Sequence, residues 1–156
     1  MHDLHDLVTP EAVASGVTAG SKKKLFALLA DVAARAYGLD AASVAAALGA
    51  RERLGTTGFG GGIAIPHGRI EGVEAVRGVM MRLDRGIDFA AVDDSPVDLV
   101  FMLLSPVNAG AEHLKALARV SRRLRDGSFT AKLRGAGSAD AIYALLAGTE
   151  ARDAAA

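Results

Sequence analysis

The chain of 156 residues contains no cysteine and no tryptophan, and aromatic residues make up only 4% of it. The missing cysteines exclude disulfide frameworks, thiolate nucleophiles and thiolate metal sites. The scarcity of aromatic rings argues against a base-stacking platform for nucleic acid, which needs several exposed rings. Eighteen basic and eighteen acidic side chains cancel at pH 7, so no overall field attracts polyanions or membranes.

Long apolar runs are also missing. None approaches the roughly 20 consecutive apolar residues that span a bilayer, and the polar, acidic start of the chain is unlike a secretory signal. Hydrophobic residues nevertheless make up 51% of the chain and charged residues 23%, a balance typical of a folded globular protein. We therefore expect a soluble, cytoplasmic protein that binds no nucleic acid and does not insert into a membrane.

Apolar residues recur at helical spacing in the first third of the chain, after an expected irregular lead-in over residues 1–20 that has room for a short strand. Ser21 is a suitable N-cap for the first helix, and Gly38 is a suitable residue to end it. Asp40 is expected to cap a second helix that runs to about Arg53.

The middle of the chain is predicted to form strands over residues 76–83 and 96–104, with a further short strand at residues 87–89. The run at residues 96–104 is almost entirely apolar, which is typical of a central strand covered on both faces.

The helical period returns over residues 111–125, and Ser128 and Ser138 are expected to cap two later helices. This order of elements predicts an α/β sandwich with a central mixed sheet flanked by helices. We expect one domain over residues 21–148 and a frayed tail at residues 149–156.

A glycine-rich stretch over residues 55–62 leads toward Pro66, His67 and Gly68. It lacks the Gly-Lys-Ser/Thr end of a Walker A loop, and it follows a helix and precedes a strand, the reverse of a Rossmann turn, so these motifs do not predict nucleotide binding. Pro66 keeps the preceding strand extended and Gly68 removes bulk on the other side. This pattern predicts an accessible His67 at the end of a strand, with a turn histidine without chemistry as the alternative.

His113 lies on the inward stripe of the helix predicted at residues 111–125. Taken alone, it is more simply a satisfied histidine at the edge of the core. Two histidines without a carboxylate or thiol at a familiar spacing do not predict a metal site, and no hydrolase triad is found. The basic groups at residues 22–24 and 119–125 are interpreted as solvated surfaces, with partner binding as the alternative.

The run from Arg51 to Arg69 reads Arg-Glu-Arg-Leu-Gly-Thr-Thr-Gly-Phe-Gly-Gly-Gly-Ile-Ala-Ile-Pro-His-Gly-Arg. It closely resembles the active-site signature of phosphotransferase-system (PTS) EIIA domains of the fructose/mannitol type, most of all the nitrogen-regulatory branch. The resemblance continues through Leu104-Ser105-Pro106 and Glu112-His113-Leu114, and it implies an EIIA-type α/β fold. Gly61 stands where mannitol-type members carry a glutamate and many nitrogen-regulatory members an asparagine, a departure that disfavours a sugar-permease role.

The resemblance also implies roles for three side chains. His67 would carry the phosphoryl group, on Nε2, and would receive it from a phosphohistidine on an HPr-like carrier protein. His113 matches the family's second active-site histidine, which would stabilise the phosphoryl group. Arg51 matches the arginine that opens the signature and would contact phosphate or a partner. No cofactor is implied.

Our leading hypothesis is therefore a phosphohistidine phosphotransfer protein that acts as a regulatory, nitrogen-related EIIA component. Regulatory protein partners would read its phosphorylation state. A sugar-specific EIIA of the fructose/mannitol type is one alternative, and a non-catalytic EIIA-shaped interaction module is another.

Overall fold

The computed structural model describes residues 3–148 as an α/β fold built on one mixed sheet. The predicted frayed tail at residues 149–156 lies outside the described residues. The strands are β1 Val13–Val17, β2 Gly58–Gly60, β3 Ile63–Ala64, β4 His67–Ile70, β5 Arg77–Ile87 and β6 Val97–Pro106. The helices are α1 Lys22–Tyr37, α2 Ala41–Glu52, α3 Gly110–Leu124, α4 Gly127–Gly135 and α5 Ala139–Ala147, and a short 3-10 helix, Pro10–Ala12, precedes β1.

The six-stranded sheet has the order β1-β5-β6-β3-β2, and β4 also pairs with β6. The β5–β6 pair is antiparallel, whereas β1 pairs with β5, and both β3 and β4 pair with β6, in parallel. Helix α1 packs against β5, α2 against β4, α3 against β6 and α5 against β1. The predicted mixed sheet with flanking helices is confirmed.

Strand β6 forms the centre of this sheet. Its residues 99–104 are fully buried, as expected for an apolar strand covered on both faces. One edge of β6 pairs with β5, and the other pairs first with β3, at Leu99 and Val100, and then with β4. The register of the β4–β6 pair sets His67 opposite Leu103. The long central strand therefore fixes the position of the shorter strand that begins with His67.

The predicted caps of the first two helices are confirmed. The Ser21 hydroxyl accepts a hydrogen bond from the Lys24 amide at 3.1 Å, and the Asp40 carboxylate accepts one from the Ser43 amide at 3.0 Å. Gly38 ends α1 with φ +68°, a left-handed conformation that glycine adopts without steric cost. These short-range contacts fix where α1 and α2 begin and how the chain turns between them.

Two predicted elements were wrong. Residues 87–89 do not form a separate strand, because β5 continues through a register shift to Ile87, and residues 84–86 lie exposed along it. Ser128 does not cap α4, because Asp126 is the N-cap and its carboxylate accepts from the amides of Ser128 and Phe129. The charged side chain two residues earlier satisfies both amides, so the helix begins before Ser128.

The first twenty residues contain β1, the short strand that the sequence had room for. Before it, Leu4, Leu7 and Val8 are buried in the core. The Leu4 amide donates to the carbonyl of Leu146 at 2.7 Å, and the Gly78 amide donates to the carbonyl of Leu7 at 2.6 Å. This segment therefore joins the end of α5 to the start of β5.

Candidate functional site

His67 is positioned by the pairing of β4 with β6. His67 is the first residue of β4, whereas the sequence predicted a histidine at the end of a strand. The difference arises because β6 is long enough to pair first with β3 and then, beyond Pro66, with β4. The carbonyl of Pro66 accepts a hydrogen bond from the Leu103 amide at 2.9 Å, so hydrogen bonding to β6 resumes at the proline, one residue before β4 begins. The His67 side chain is half-buried at this point.

The hydrogen bonds of the His67 ring define its tautomer. Nδ1 lies 2.8 Å from the carbonyl oxygen of Ile65, which can only accept, so Nδ1 carries the proton. The Nε of Arg51 lies 3.2 Å from Nε2 and can only donate, so Nε2 presents its lone pair. The ring is therefore a neutral imidazole with Nε2 as its basic, nucleophilic nitrogen.

Arg51 reaches His67 from the last turn of α2. Besides the contact between Nε and His67 Nε2, one terminal nitrogen donates to the carbonyl of Gly55 at 2.9 Å. Gly55 lies just beyond the helix, so this second hydrogen bond holds the guanidinium against the turn that follows α2. A planar group with five N–H donors is well suited to bind an anion in this place.

His113 lies in the first turn of α3 and is only 6% exposed. Its Nδ1 is 2.5 Å from the hydroxyl oxygen of Ser105, a fully buried residue near the end of β6. A serine hydroxyl can both donate and accept, so this contact is compatible with either neutral tautomer of His113. Where the hydroxyl donates into Nδ1, the ring proton lies on Nε2, and His113 is a donor there, the complement of His67, whose Nε2 is an acceptor.

The two imidazole rings face each other across the site, with their centroids 5.6 Å apart and their planes tilted by 53°. Burial lowers the pKa of His67 below its ordinary value, and the nearby charge of Arg51 lowers it further. Burial also lowers the pKa of His113, as do the neighbouring His67 and Arg69. Both rings are therefore held in the neutral form at neutral pH, as the tautomer assignment requires.

Glu52 anchors the start of the glycine-rich stretch through Thr57. Its carboxylate accepts from the amide of Thr57 at 3.0 Å and from the Thr57 hydroxyl at 2.6 Å, and Lys22 of α1 pairs with it at 2.9 Å. The ammonium group of Lys22 also lies 4.2 Å from the centre of the Phe89 ring. These contacts tie the end of α2 and the start of α1 to the loop that precedes β2.

The glycine-rich stretch is a short hairpin of β2 and β3 rather than a phosphate loop. At its tip, Gly61 has φ +68°, and its amide donates to Asp93 at 3.0 Å. Its carbonyl accepts from Arg134 at 2.8 Å. The backbone of the tip is therefore held on both sides, at a position where the left-handed conformation favours glycine or asparagine.

The structure thus brings together all three side chains singled out from the sequence: His67, His113 and Arg51. Sequence reasoning missed the groups that orient them, which are the carbonyl of Ile65 and the hydroxyl of Ser105. Ser105 carried a local signal, because it is the one polar residue in the long apolar run of β6 after Asp98. Within residues 3–148, no group of three or more histidine, cysteine or acidic residues could hold a metal ion, and no helix in that range is long and apolar enough to cross a bilayer.

The chain matches a known family of domains along nearly its whole length. The family model for the phosphoenolpyruvate-dependent sugar phosphotransferase system, EIIA 2, matches residues 6–148, and the chain belongs to this family. Within it, the chain falls in the nitrogen-regulatory branch, because nitrogen regulatory proteins are among its relatives at up to 50% identity.

A nitrogen regulatory protein of Bradyrhizobium diazoefficiens is 50% identical over 144 residues, which cover 92% of this chain and 94% of that protein. The crystal structure of the nitrogen regulatory protein IIA-Ntr from Neisseria meningitidis has a TM-score of 0.85 and 37% identity, and it covers 91% of this chain and 97% of that one. An Escherichia coli enzyme IIA for mannitol, solved in complex with phosphorylated enzyme IIB, has a TM-score of 0.75 and 25% identity, with 91% and 99% covered.

Proposed function

We propose that this chain is a phosphohistidine phosphotransfer protein and that Nε2 of His67 accepts the phosphoryl group from a phosphohistidine on an HPr-like carrier. The observation that carries the proposal is the state of the His67 ring. The Nδ1 proton is committed to the carbonyl of Ile65, and a lowered pKa keeps Nε2 unprotonated. Once Arg51 releases it, the Nε2 lone pair can attack phosphorus without a general base.

The transfer itself exchanges one P–N bond for another. The P–N bond of the donor breaks, its electron pair returns to the donor imidazole, and the lone pair of His67 Nε2 forms the new bond. Negative charge spreads over the three equatorial phosphoryl oxygens in the transition state, so the acceptor site has to supply hydrogen-bond donors and positive charge.

Three groups of the site are suited to stabilise those oxygens. Arg51 gives up its contact with Nε2 when phosphorus binds there, and its guanidinium is then free to donate to the phosphoryl group. With the Ser105 hydroxyl donating into its Nδ1, His113 presents an Nε2–H donor. Helix α3 begins at Gly110 behind an N-cap alanine, whose side chain cannot accept from the first-turn amides, so the positive end of the helix is open to an anion.

The branch to which the chain belongs supports a regulatory role rather than sugar uptake. We propose that regulatory partner proteins read the phosphorylation state of His67 in the cytoplasm. The mannitol relative, solved with its enzyme IIB, supports the alternative of a sugar-specific component. Efficient transfer from the phosphorylated chain to a sugar-specific EIIB protein would favour that alternative.

The test is phosphorylation by phosphoenolpyruvate with purified enzyme I and HPr-type carrier, followed by intact-mass measurement and site mapping. We expect one acid-labile phosphoryl group, on His67. His67→Ala should not be labelled, whereas His5→Ala, which changes an exposed histidine away from the paired rings, should be labelled at the wild-type rate. Equal labelling of His67→Ala and the wild type would refute the assignment.

A further inference from the structure

A groove of about 750 Å³ lies between α1 and α2. Its lining residues are Lys22, Lys23, Phe26 and Ala27 from α1 and Ala45, Ala46, Gly49, Glu52 and Arg53 from α2. None of the three side chains of the paired-histidine site lines it. Its volume is within the range of known binding clefts.

The walls of this groove are shaped for close approach of another chain. Phe26 is a mostly buried apolar floor, whereas Ala27 and Ala46 are small and exposed. On α2 the lining positions 45, 46, 49, 52 and 53 recur at helical spacing, so they form one continuous stripe along the helix. An open groove between two helices, with small residues along its edge, fits an amphipathic helix.

The accessible charge of the groove is positive. Its one carboxylate, Glu52, is occupied by Lys22 and by the amide and hydroxyl of Thr57. Lys23 and Arg53 are exposed, and neither forms an ion pair within the described part of the chain. The groove therefore has two unpaired cations at its rim and no free anion to balance them.

The lysines also occupy an unfavourable place on their helix. Residues 22–24 form the first turn of α1, which contains no acidic residue. The positive end of the helix dipole repels cations in this turn and attracts anions. The carboxylates of an acidic partner would relieve that repulsion at Lys23 and would also interact favourably with the positive end of the helix.

We infer that the groove between α1 and α2 is a docking site for an acidic amphipathic helix on a protein partner. The apolar face of that helix lies on Phe26 and the alanines, and its carboxylates pair with Lys23 and Arg53. The surface is separate from the paired-histidine site, so it provides a second attachment point beside the one that the phosphocarrier would use. The inference holds whether or not His67 accepts phosphate.

The experiment uses the full chain and a synthetic helical peptide that has leucine and alanine on one face and glutamate on both flanks. A matched peptide carries lysine in place of each glutamate. Backbone amide shifts of the isotope-labelled protein report the binding and its location. We expect saturable binding of the glutamate peptide, with shifts centred on the residues of the groove, and at least about tenfold weaker binding of the lysine peptide.

Two pairs of variants test the location. Lys23→Glu should weaken binding about fivefold or more, whereas Lys24→Glu, one residue beyond the groove, should change it less than about twofold. Ala46→Trp fills the groove and should abolish binding, whereas Ala131→Trp, at an exposed position on α4 outside the groove, should preserve it. Circular dichroism checks the fold, and His67 labelling should be unchanged in all four variants.

Equal affinity for the two peptides, or wild-type binding by Ala46→Trp, would overturn the inference. A third arm uses vesicles that contain phosphatidylglycerol. Vesicle binding that Lys23→Glu abolishes, without binding of the glutamate peptide, would overturn it in favour of a membrane surface. Because the labelling assay is independent of the peptide assay, failure of one does not imply failure of the other.

Discussion

Arg51 donates its Nε–H to Nε2 of His67, at 3.2 Å. The guanidinium therefore contacts the atom at which we propose that phosphorus binds. This contact holds the ring in its nucleophilic tautomer before transfer, and it places a permanently charged donor beside the phosphoryl oxygens afterwards.

Arg51→Lys should slow the phosphorylation of His67 by about tenfold to a hundredfold. A lysine ammonium is a single point donor and cannot contact Nε2 and the Gly55 carbonyl with one planar group. Rapid-quench labelling with the phosphorylated carrier measures the rate. Arg53→Lys, two residues along the chain and outside the contact, is the control and should react at the wild-type rate. An unchanged rate for Arg51→Lys would show that the guanidinium has no part in the transfer.

In the proposed arrangement the Ser105 hydroxyl donates into Nδ1 of His113, so Ser105→Ala should remove the preference of His113 for its Nε2–H tautomer. Nitrogen-15 chemical shifts of the imidazole ring report this directly. We expect the Nδ1 and Nε2 shifts of His113 to move toward each other, while those of His67 stay unchanged. The variant should also lose about 1–3 kcal/mol in the free energy of unfolding, because a buried ring nitrogen is left without its partner. Ser95→Ala, at a half-buried position away from the rings, is the control.

Acidification should destabilise the protein well above the pH at which carboxylates titrate. Because burial lowers the pKa of His67 and of His113, the folded chain binds fewer protons at these rings than the unfolded chain does. Their contribution is complete above the ordinary histidine pKa of about 6.5 and is lost as the pH falls through that value toward the lowered ones. Urea unfolding at pH 7.5 and 5.5 measures the difference.

The variants His67→Gln and His113→Gln should each show a smaller loss of stability between those two pH values. A wild-type free energy of unfolding that stays constant over this range would contradict the assigned pKa directions.

Gly58→Ala should destabilise the fold by about 1–3 kcal/mol. A Cβ at this position would lie 2.9 Å from the Cβ of Ala91 and 3.0 Å from a ring carbon of Phe89, which leaves no room for a methyl group. Gly135→Ala, at the end of α4, meets nothing within 4 Å and should change stability by less than about 1 kcal/mol. Thermal unfolding of both variants measures the contrast, and equal melting temperatures would show that the segment moves to accept the methyl group.

Local sequence signals predicted the parts of the fold that depend on neighbours in the chain. Ser21, Asp40 and Ser138 cap their helices as expected, because a hydroxyl or carboxylate needs only the amide three residues later. The apolar run of β6 likewise predicted its own burial. The α4 cap failed because Asp126 and Ser128 are both good caps, and the spacing alone did not say which one the helix would use.

The contacts of the site between residues far apart in the chain could not be predicted from the sequence. The sequence shows that His67 and His113 are 46 positions apart, but not that their rings lie 5.6 Å apart. The sequence likewise does not indicate that β4 begins at His67, because that depends on β6 extending beyond its pairing with β3. The bond between Ser105 and His113 joins the end of a strand to the first turn of the next helix, so only the packing of α3 against β6 reveals it.

The pairing of β4 with β6 has a consequence for evolution and for engineering. Leu103 is the register partner of His67, and Ser105, two positions further on, holds His113. One strand therefore sets the spacing of both rings. An insertion or deletion of a single residue in that strand would swap its inward and outward faces, so it would displace the two imidazoles relative to each other even if every side chain of the site were kept.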